Sequence, residues 1–122
     1  MTRIARVTAI ALTLLAAGAA SAAAASLSGT YVTTVRTAGT LSGTYRITFQ
    51  PGRFTLQAPY GITGHGTYSI SGSKITLHGP SSTCTTAGTY QFSVSGSSLS
   101  FRKIKDPCPR AAVLTAHALK RT

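Results

Sequence analysis

The chain has 122 residues, with 12 Lys or Arg against a single Asp or Glu and a formal net charge of +11. One carboxylate side chain excludes glycoside hydrolysis by a carboxylate pair, and the absence of Glu and Asn makes a calcium-binding loop implausible. So basic a chain favours anionic surroundings such as cell-wall polymer, lipid headgroups, nucleic acid or an acidic partner. The alternative is a solvated charged surface that only keeps the domain soluble.

Residues 1–25 have the features of an export signal. Arg3 and Arg6 precede an uncharged, Ala-rich run, and small residues follow it up to an A-x-A cleavage site near Ala25. The alternative is a membrane anchor, for which this run is short and weakly apolar. We therefore predict a signal peptide over residues 1–25, a secreted protein, and a single domain over residues 26–122 without a membrane span.

A Gly-Thr-Tyr triplet occurs four times in the domain, at residues 29–31, 43–45, 66–68 and 88–90. We predict that each copy opens a β-strand, because glycine tolerates the bend where a loop enters a strand and tyrosine is then the first large inward residue. Strand one is predicted over residues 27–35.

The strands that follow are predicted from large residues that alternate with polar ones. This period of two is typical of strands with one buried face. Pro51-Gly52, Ser71-Gly72-Ser73 and Ser95-Gly96-Ser97 join these strands into three hairpins. The six predicted strands cover residues 43–50, 53–58, 66–71, 74–78, 88–95 and 98–104.

The tail at residues 110–119 is ambiguous. Its Ala and Leu content and the preceding Pro109 favour a helix, whereas a strand would let the sheet close on strand one and remove both edges. We prefer the strand. The fold predicted is therefore all-β, a small eight-stranded antiparallel up-and-down meander barrel, with a C-terminal helix replacing strand eight as the alternative.

Loop lengths place the two cysteines. The connections from strand one to two, three to four, five to six and seven to eight are longer than the three hairpin turns. Alternate connections of a meander lie at the same end, so these four long connections share one rim. Cys84 and Cys108 fall in two of these long connections, and we predict that they form a disulfide. Closing a loop of about 25 residues would stabilise the fold by roughly 3 kcal/mol.

The same reasoning places the tyrosines. Tyr45, Tyr68 and Tyr90 are predicted to share the long-loop end, and Tyr31 to lie at the other end. An eight-stranded barrel is wide enough either to be filled by side chains or to admit one small ligand, and we expect a largely filled interior with at most a shallow cup at the rim. The candidate ligand-binding residues are the inward-facing aromatics Tyr45, Phe49, Phe54, Tyr68, Tyr90, Phe92 and Phe101.

The triplet in strand one, the meander and a late Arg resemble the lipocalin-like (calycin) barrels. Residues 88–114 are also similar to the closing part of small exported actinobacterial barrels of that kind. In these proteins a Gly-x-Trp near the start packs under a basic residue from near the end, and the matching positions are Gly29, Tyr31 and Arg110, with Tyr in place of Trp. The resemblance implies a structural end-cap of these three residues, and binding of a small apolar or amphipathic molecule at the open end.

No residue set points to catalysis. There is no G-x-S-x-G elbow, and His65, His78 and His117 lie in neither His-x-His nor Cys-His spacing, so neither a triad nor a metal site is predicted, and no cofactor is expected. Asp106 is predicted to be an ion-pair or loop-capping residue, with Arg110 as a partner.

We therefore expect a secreted, non-catalytic and monomeric protein that binds a small apolar or amphipathic ligand. The alternative is a basic interaction protein that docks on anionic envelope polymer or inhibits a secreted enzyme, with a basic patch at Arg102, Lys103 and Lys105. Nucleic-acid binding is not favoured, because the alternation places the aromatic residues inside rather than on an exposed face.

Overall fold

A computed structural model describes residues 26–36, 39–80 and 84–122. The predicted signal peptide at residues 1–25 lies outside the described residues. Each strand pairs with the next along the chain and β8 pairs with β1, which closes an eight-stranded antiparallel meander barrel as predicted. The strands are β1 (Gly29–Val35), β2 (Gly43–Gln50), β3 (Arg53–Gln57), β4 (Thr63–Ser71), β5 (Lys74–His78), β6 (Gly88–Ser95), β7 (Ser98–Lys105) and β8 (Leu119–Arg121).

The two ends of the barrel differ. At the closed end, tight two-residue turns join β2 to β3, β4 to β5 and β6 to β7, with the flanking residues paired in register. At the open end the connections are longer and include the 3-10 turns Gly39–Leu41 and Pro59–Gly61 and the short helix α1 (Arg110–Leu114). The long connections therefore share one rim, as the loop lengths predicted.

Three of the four triplets open a strand, at Gly29, Gly43 and Gly88. The prediction for the third copy is wrong, since β4 begins at Thr63, ahead of Gly66. The barrel interior explains the difference. Gly66 pairs with Phe54, and a Cβ there would meet the Phe54 ring, so this glycine makes room for an aromatic neighbour rather than for a bend.

The tail combines both alternatives at different positions. Residues 110–114 form helix α1 after Pro109, as local propensity favoured, while the closing strand is only Leu119–Arg121. The preference for a strand over residues 110–119 is thus corrected to a helix followed by a three-residue strand. The last residues are drawn into the sheet because β7 and β1 each offer them a pairing partner, and Leu119 becomes fully buried.

Aromatic packing fills the closed half of the interior. Phe49 lies at the centre, with ring centroids 6.1 Å from Tyr31 and 5.7 Å from Tyr68 in edge-to-face geometry. The Tyr68 hydroxyl accepts a hydrogen bond from the Leu27 N–H at 2.8 Å and lies 2.7 Å from the Gln50 carbonyl oxygen. These bonds hold Leu27, which is buried in the core just before β1, across the closed end of the barrel. The space that remains inside the barrel therefore lies towards the open end.

Candidate functional site

An apolar cavity of about 180 Å³ opens at the long-loop rim. Its walls come from β2, β3, the start of β4, the end of β5, the turn Pro59–Gly61 and helix α1. An apolar concavity of this kind is the usual form of a small-molecule site. It matches the predicted cup above a filled barrel.

The alternation of β2 and β3 builds one wall. Ile47 and Phe49 of β2 and Leu56 of β3 point inward and line the cavity. Tyr45 lines it nearer the rim, where its hydroxyl donates to the Leu41 carbonyl oxygen at 2.7 Å. That bond ties the connection between β1 and β2 to the wall, so the rim on this side is held in place.

A glycine and a proline form the opposite side of the cavity. Gly64 of β4 pairs with Leu56, which puts it at an inward position. A Cβ at Gly64 would run into the Pro80 ring, so Pro80 packs directly against the β4 backbone. Both Gly64 and Pro80 line the cavity, which therefore has a rigid, apolar boundary of backbone and proline ring on this side.

Helix α1 partly covers the open end. Val113 packs with Val35 and Tyr45, and Leu114 joins the main core. Both residues also line the cavity. The helix therefore narrows the mouth with aliphatic side chains.

Among the described residues that line the cavity, Arg110 is the one charged side chain, and four of its five N–H donors are engaged within the protein. Nε donates to Asp106 Oδ2 at 2.6 Å and Nη2 to Asp106 Oδ1 at 3.1 Å. The remaining bonds run to the carbonyl oxygens of Gly79 at 2.8 Å and Thr86 at 2.6 Å. The guanidinium is thus neutralised within the protein, and the cavity offers no free charge to a ligand.

Asp106 is held from several sides, as predicted for an ion-pair and loop-capping residue. Besides Arg110, its carboxylate accepts the Tyr90 hydroxyl and the Cys108 N–H. Burial raises the pKa of this carboxyl, but the hydrogen bonds from Arg110, Tyr90 and the Cys108 backbone outweigh burial, so the pKa lies below its ordinary value.

Tyr90 shares this network. Burial, together with its hydrogen bond to Asp106 and the charge of that carboxylate, raises the pKa of Tyr90 well above its ordinary value. At neutral pH Asp106 is therefore ionised and Tyr90 is protonated. The network acts as a structural tie between β6 and the segment that follows β7, with no group poised to exchange a proton near pH 7.

Cys84 and Cys108 lie at disulfide distance beside this network, with Cα atoms 5.9 Å apart, inside the usual range for a disulfide. The pair indicates an oxidising compartment. Cys84, Cys108 and Asp106 also form a group of metal-capable side chains among the described residues. The sulfur atoms are paired and the carboxylate is bound to Arg110, so the group has no ligand atom to offer.

The predicted ligand-binding residues divide into two groups. Tyr45, Phe49 and Phe54 line the cavity, whereas the other four do not. Tyr68 was expected at the open end, and this is wrong: because β4 starts three residues earlier than predicted, Tyr68 reaches the Gln50 turn at the closed end. Tyr90 turns its hydroxyl to Asp106.

Phe92 and Phe101 face each other across β6 and β7. The Phe101 ring packs edge-to-face on Tyr90 at 5.9 Å, away from the cavity. Both phenylalanines instead line a shallow cleft with Ser73 and Arg102.

The end-cap needs a correction in its third member. Gly29 and Tyr31 lie towards the closed end as expected, but Arg110 lies at the open rim with Asp106. It is Arg121 of β8 that reaches Tyr31, with its guanidinium carbon 5.9 Å from the ring centroid, and a Cβ on Gly29 would meet the same guanidinium. Arg121 pairs with Tyr31 in register, whereas the turn of helix α1 keeps Arg110 at the rim.

Several cavity residues were missed from the sequence. Ile47, Leu56 and Leu77 follow the same alternation as the aromatics, so the pattern could have found them had aliphatic residues been counted. Tyr60 and Ile62 could not be found in this way, because they lie in a loop whose conformation the alternation does not specify. They border the cavity mouth and are 91% and 56% exposed.

The predicted basic patch lies outside the cavity. Arg102, Lys103 and Lys105 are all exposed on β7, and Arg102 donates to the side-chain oxygen of Gln91. Each histidine is exposed on its own segment, at His65, His78 and His117.

In the part of the chain that the structure describes, no helix is long and apolar enough to span a membrane. A scan against protein-family models and searches of curated proteins and of solved structures each found no match.

Proposed function

We propose that this chain is a secreted, non-catalytic, lipocalin-like binding protein that holds a small apolar group, or the apolar part of an amphipathic molecule, in the cavity at the open end of its barrel. The observation that carries the proposal is the cavity of about 180 Å³ between the β2–β3 wall and helix α1.

The cavity walls define what the buried part of the ligand is. They are aliphatic and aromatic, and the Arg110 guanidinium is paired with Asp106 and hydrogen-bonded to two carbonyl oxygens. A buried charge without a partner is costly, so the inserted group is uncharged. An apolar cavity of about 150 Å³ takes up benzene, so one ring or a short aliphatic segment fits, with any polar group left at the mouth.

Two further features support secretion and the lipocalin-like resemblance. The cysteine pair at disulfide distance fits an exported protein with the predicted signal at residues 1–25. The contact of Arg121 with Gly29 and Tyr31 is the arrangement that the resemblance assigns to the closed end, with Arg121 in the place first given to Arg110.

The experiment is a thermal-shift screen of the protein recovered from culture medium against substituted benzenes, short-chain alcohols and fatty acids, with native mass spectrometry for co-purified compounds. A ligand at one hundred times its Kd stabilises the folded state by about 2.7 kcal/mol, which corresponds to a rise in Tm of about 10 °C or more in a domain of this size.

A cavity-filling variant locates the bound compound. Ala58 lines the cavity, so Ala58→Leu is expected to abolish the ligand-dependent shift, while Ala112→Leu, on the exposed side of α1, is expected to leave it unchanged. The proposal fails if no compound shifts Tm and none co-purifies, or if Ala58→Leu responds like the wild type.

A further inference from the structure

The loop between β3 and β4 exposes two large apolar side chains that border the cavity mouth and lie outside the hydrophobic core. Tyr60 is 91% exposed and Ile62 is 56% exposed. The loop is nevertheless ordered by its own backbone, because the Ala58 N–H donates to the Ile62 carbonyl oxygen at 2.7 Å and the Pro59 ring packs where a Cβ of Gly43 would lie. Because Tyr60 and Ile62 border the same apolar cavity mouth, they form with it a continuous exposed apolar surface, which is typical of a contact site.

The backbone of Tyr60 adds to this picture. Its φ of 65° lies in the left-handed region, which non-glycine residues rarely adopt and which costs energy for an aromatic residue. A glycine or asparagine would fit there without that cost. The position therefore keeps an outward-pointing tyrosine at the expense of stability.

The surface charge has a single sign. Nine of the ten Lys and Arg in residues 26–122 are exposed, whereas Arg110 is buried with Asp106, the one acidic side chain in the chain. No carboxylate side chain therefore faces solvent in the described residues. The exposed cations occupy both ends: Arg36 and Lys105 flank the open rim, and Arg53 and Lys74 flank the closed-end turns.

This combination fits a lipid surface better than a protein partner. A stable protein interface buries about 800 Å² on each side around an apolar core, and two side chains on one loop are too few for such a core. A protein also presents charges of both signs, whereas an anionic bilayer offers one sign to a uniformly basic barrel. Tyr and apolar residues beside cations are typical of segments that enter the headgroup layer, and the exposed Arg46 pairs with Gln57, directly before this loop.

We infer that the open end of the barrel docks on an anionic lipid surface, with Tyr60 and Ile62 entering the headgroup region. Charge draws the whole molecule to the surface, and the two apolar side chains select the end that faces it. The cavity mouth then lies against the lipid. Docking does not require an occupied cavity, so it can fail while ligand binding succeeds, and the reverse also holds.

The test uses residues 26–122, which contain all eight strands and the core, with vesicles of mixed phosphatidylglycerol and phosphatidylcholine and vesicles of phosphatidylcholine alone. The wild type is expected to co-sediment with the anionic vesicles only. The double variant is Tyr60→Asn with Ile62→Thr, because Asn suits the left-handed backbone and Thr keeps the β-branched side chain. We expect it to bind the anionic vesicles at least about tenfold more weakly than the wild type.

A matched control is available at the other end of the barrel. Val94 is 49% exposed and lies beside the β6–β7 turn, so Val94→Thr makes the same kind of change as Ile62→Thr and is expected to leave vesicle binding unchanged. Dextran sulfate beads offer negative charge without a lipid interior, so wild type and double variant are expected to bind them equally.

Because the chain has no Trp, a single tryptophan reports which end touches lipid. Tyr60→Trp is expected to shift its emission to shorter wavelength on anionic vesicles, and Val94→Trp is not. Absence of vesicle binding, equal binding by the double variant, or an emission shift from Val94→Trp instead would each overturn the inference. Equal loss on vesicles and beads would also overturn it, since the variant would then have acted through charge or folding.

Discussion

At the residue scale, the lone acidic side chain explains the most. Asp106 neutralises Arg110, receives the Tyr90 hydroxyl and caps the Cys108 N–H. Gly88, which opens β6, has no room for a side chain because a Cβ would meet both Asp106 and Arg110. Position 88 therefore requires glycine because the ion pair occupies the space of a side chain. Positions 29 and 43 favour glycine because their backbone lies at positive φ.

Asp106 also makes the acid stability of the protein assignable to one side chain. Its pKa is lower in the folded state than the ordinary 3.8, so it adds stability above that pH and loses the contribution as pH falls through the folded pKa. We expect the free energy of unfolding, from urea titrations, to drop as pH falls from about 4 towards 2.

The variant Asp106→Asn is expected to be less stable at pH 7 by about 3–5 kcal/mol, because it leaves Arg110 buried without a counter-charge. Its free energy of unfolding should not show the further drop between about pH 4 and 2. Arg110→Lys keeps the charge but loses the forked hydrogen bonds, so its stability at pH 7 should lie between those of the wild type and Asp106→Asn. A drop in stability between about pH 4 and 2 that is as large in Asp106→Asn as in the wild type would contradict this assignment.

At the element scale, the early start of β4 has the largest consequence. It moves Tyr68 from the expected open rim to the closed end, where its hydroxyl holds the backbone of Leu27. The segment before β1 is thereby fixed under the barrel, although it belongs to no strand. At the open end, helix α1 is fixed to the barrel in a similar way, because Val113 packs against Val35 and Tyr45.

Removing the Tyr68 hydroxyl tests the closed end. Tyr68→Phe leaves the buried Leu27 N–H without its partner, and we expect a loss of about 1–3 kcal/mol in the free energy of unfolding with faster hydrogen exchange at the Leu27 amide. Tyr60→Phe makes the same chemical change on an exposed ring and should stay within about 0.5 kcal/mol of wild type. Equal stability of the two variants would refute the role given to Tyr68.

At the scale of the whole molecule, closure and cross-linking stabilise a small barrel. Pairing of β8 with both β7 and β1 leaves no free sheet edge among the eight described strands, although β8 has only three residues. The cysteine pair joins two rim connections across 24 positions of sequence. Both features compensate for the limited core of a domain of this size.

The cross-link can be tested directly. Replacing both cysteines, as Cys84→Ser with Cys108→Ser, is expected to cost roughly 3 kcal/mol through the greater freedom of the unfolded chain, and hence to lower Tm by about 10 °C or more. A reductant should lower the Tm of the wild type towards that of the double variant and leave the double variant unchanged. A wild type indifferent to reductant would show that the bond contributes nothing to stability.

The sequence alone determined the presence and order of the first seven strands, because alternation with a period of two and short polar turns are local properties. It left the tail at residues 110–119 open between a strand and a helix. It also determined that Cys84 and Cys108 share a rim, because loop parity places their two connections at the same end. For Asp106 it offered Arg110 as one candidate partner among the ten basic side chains of residues 26–122, and the structure selected that pair. The inward side of each predicted strand, and with it Tyr45, Phe49 and Phe54 on the cavity wall, followed from the same alternation.

Only the tertiary structure decided which end each side chain serves. The start of β4 depends on Gly64 and Gly66 making room for Pro80 and Phe54, which are distant in sequence. The choice of Arg121 over Arg110 beneath Tyr31 depends on where β8 finds its partners. The cavity is likewise a property of packing, because empty space is what several elements together fail to fill.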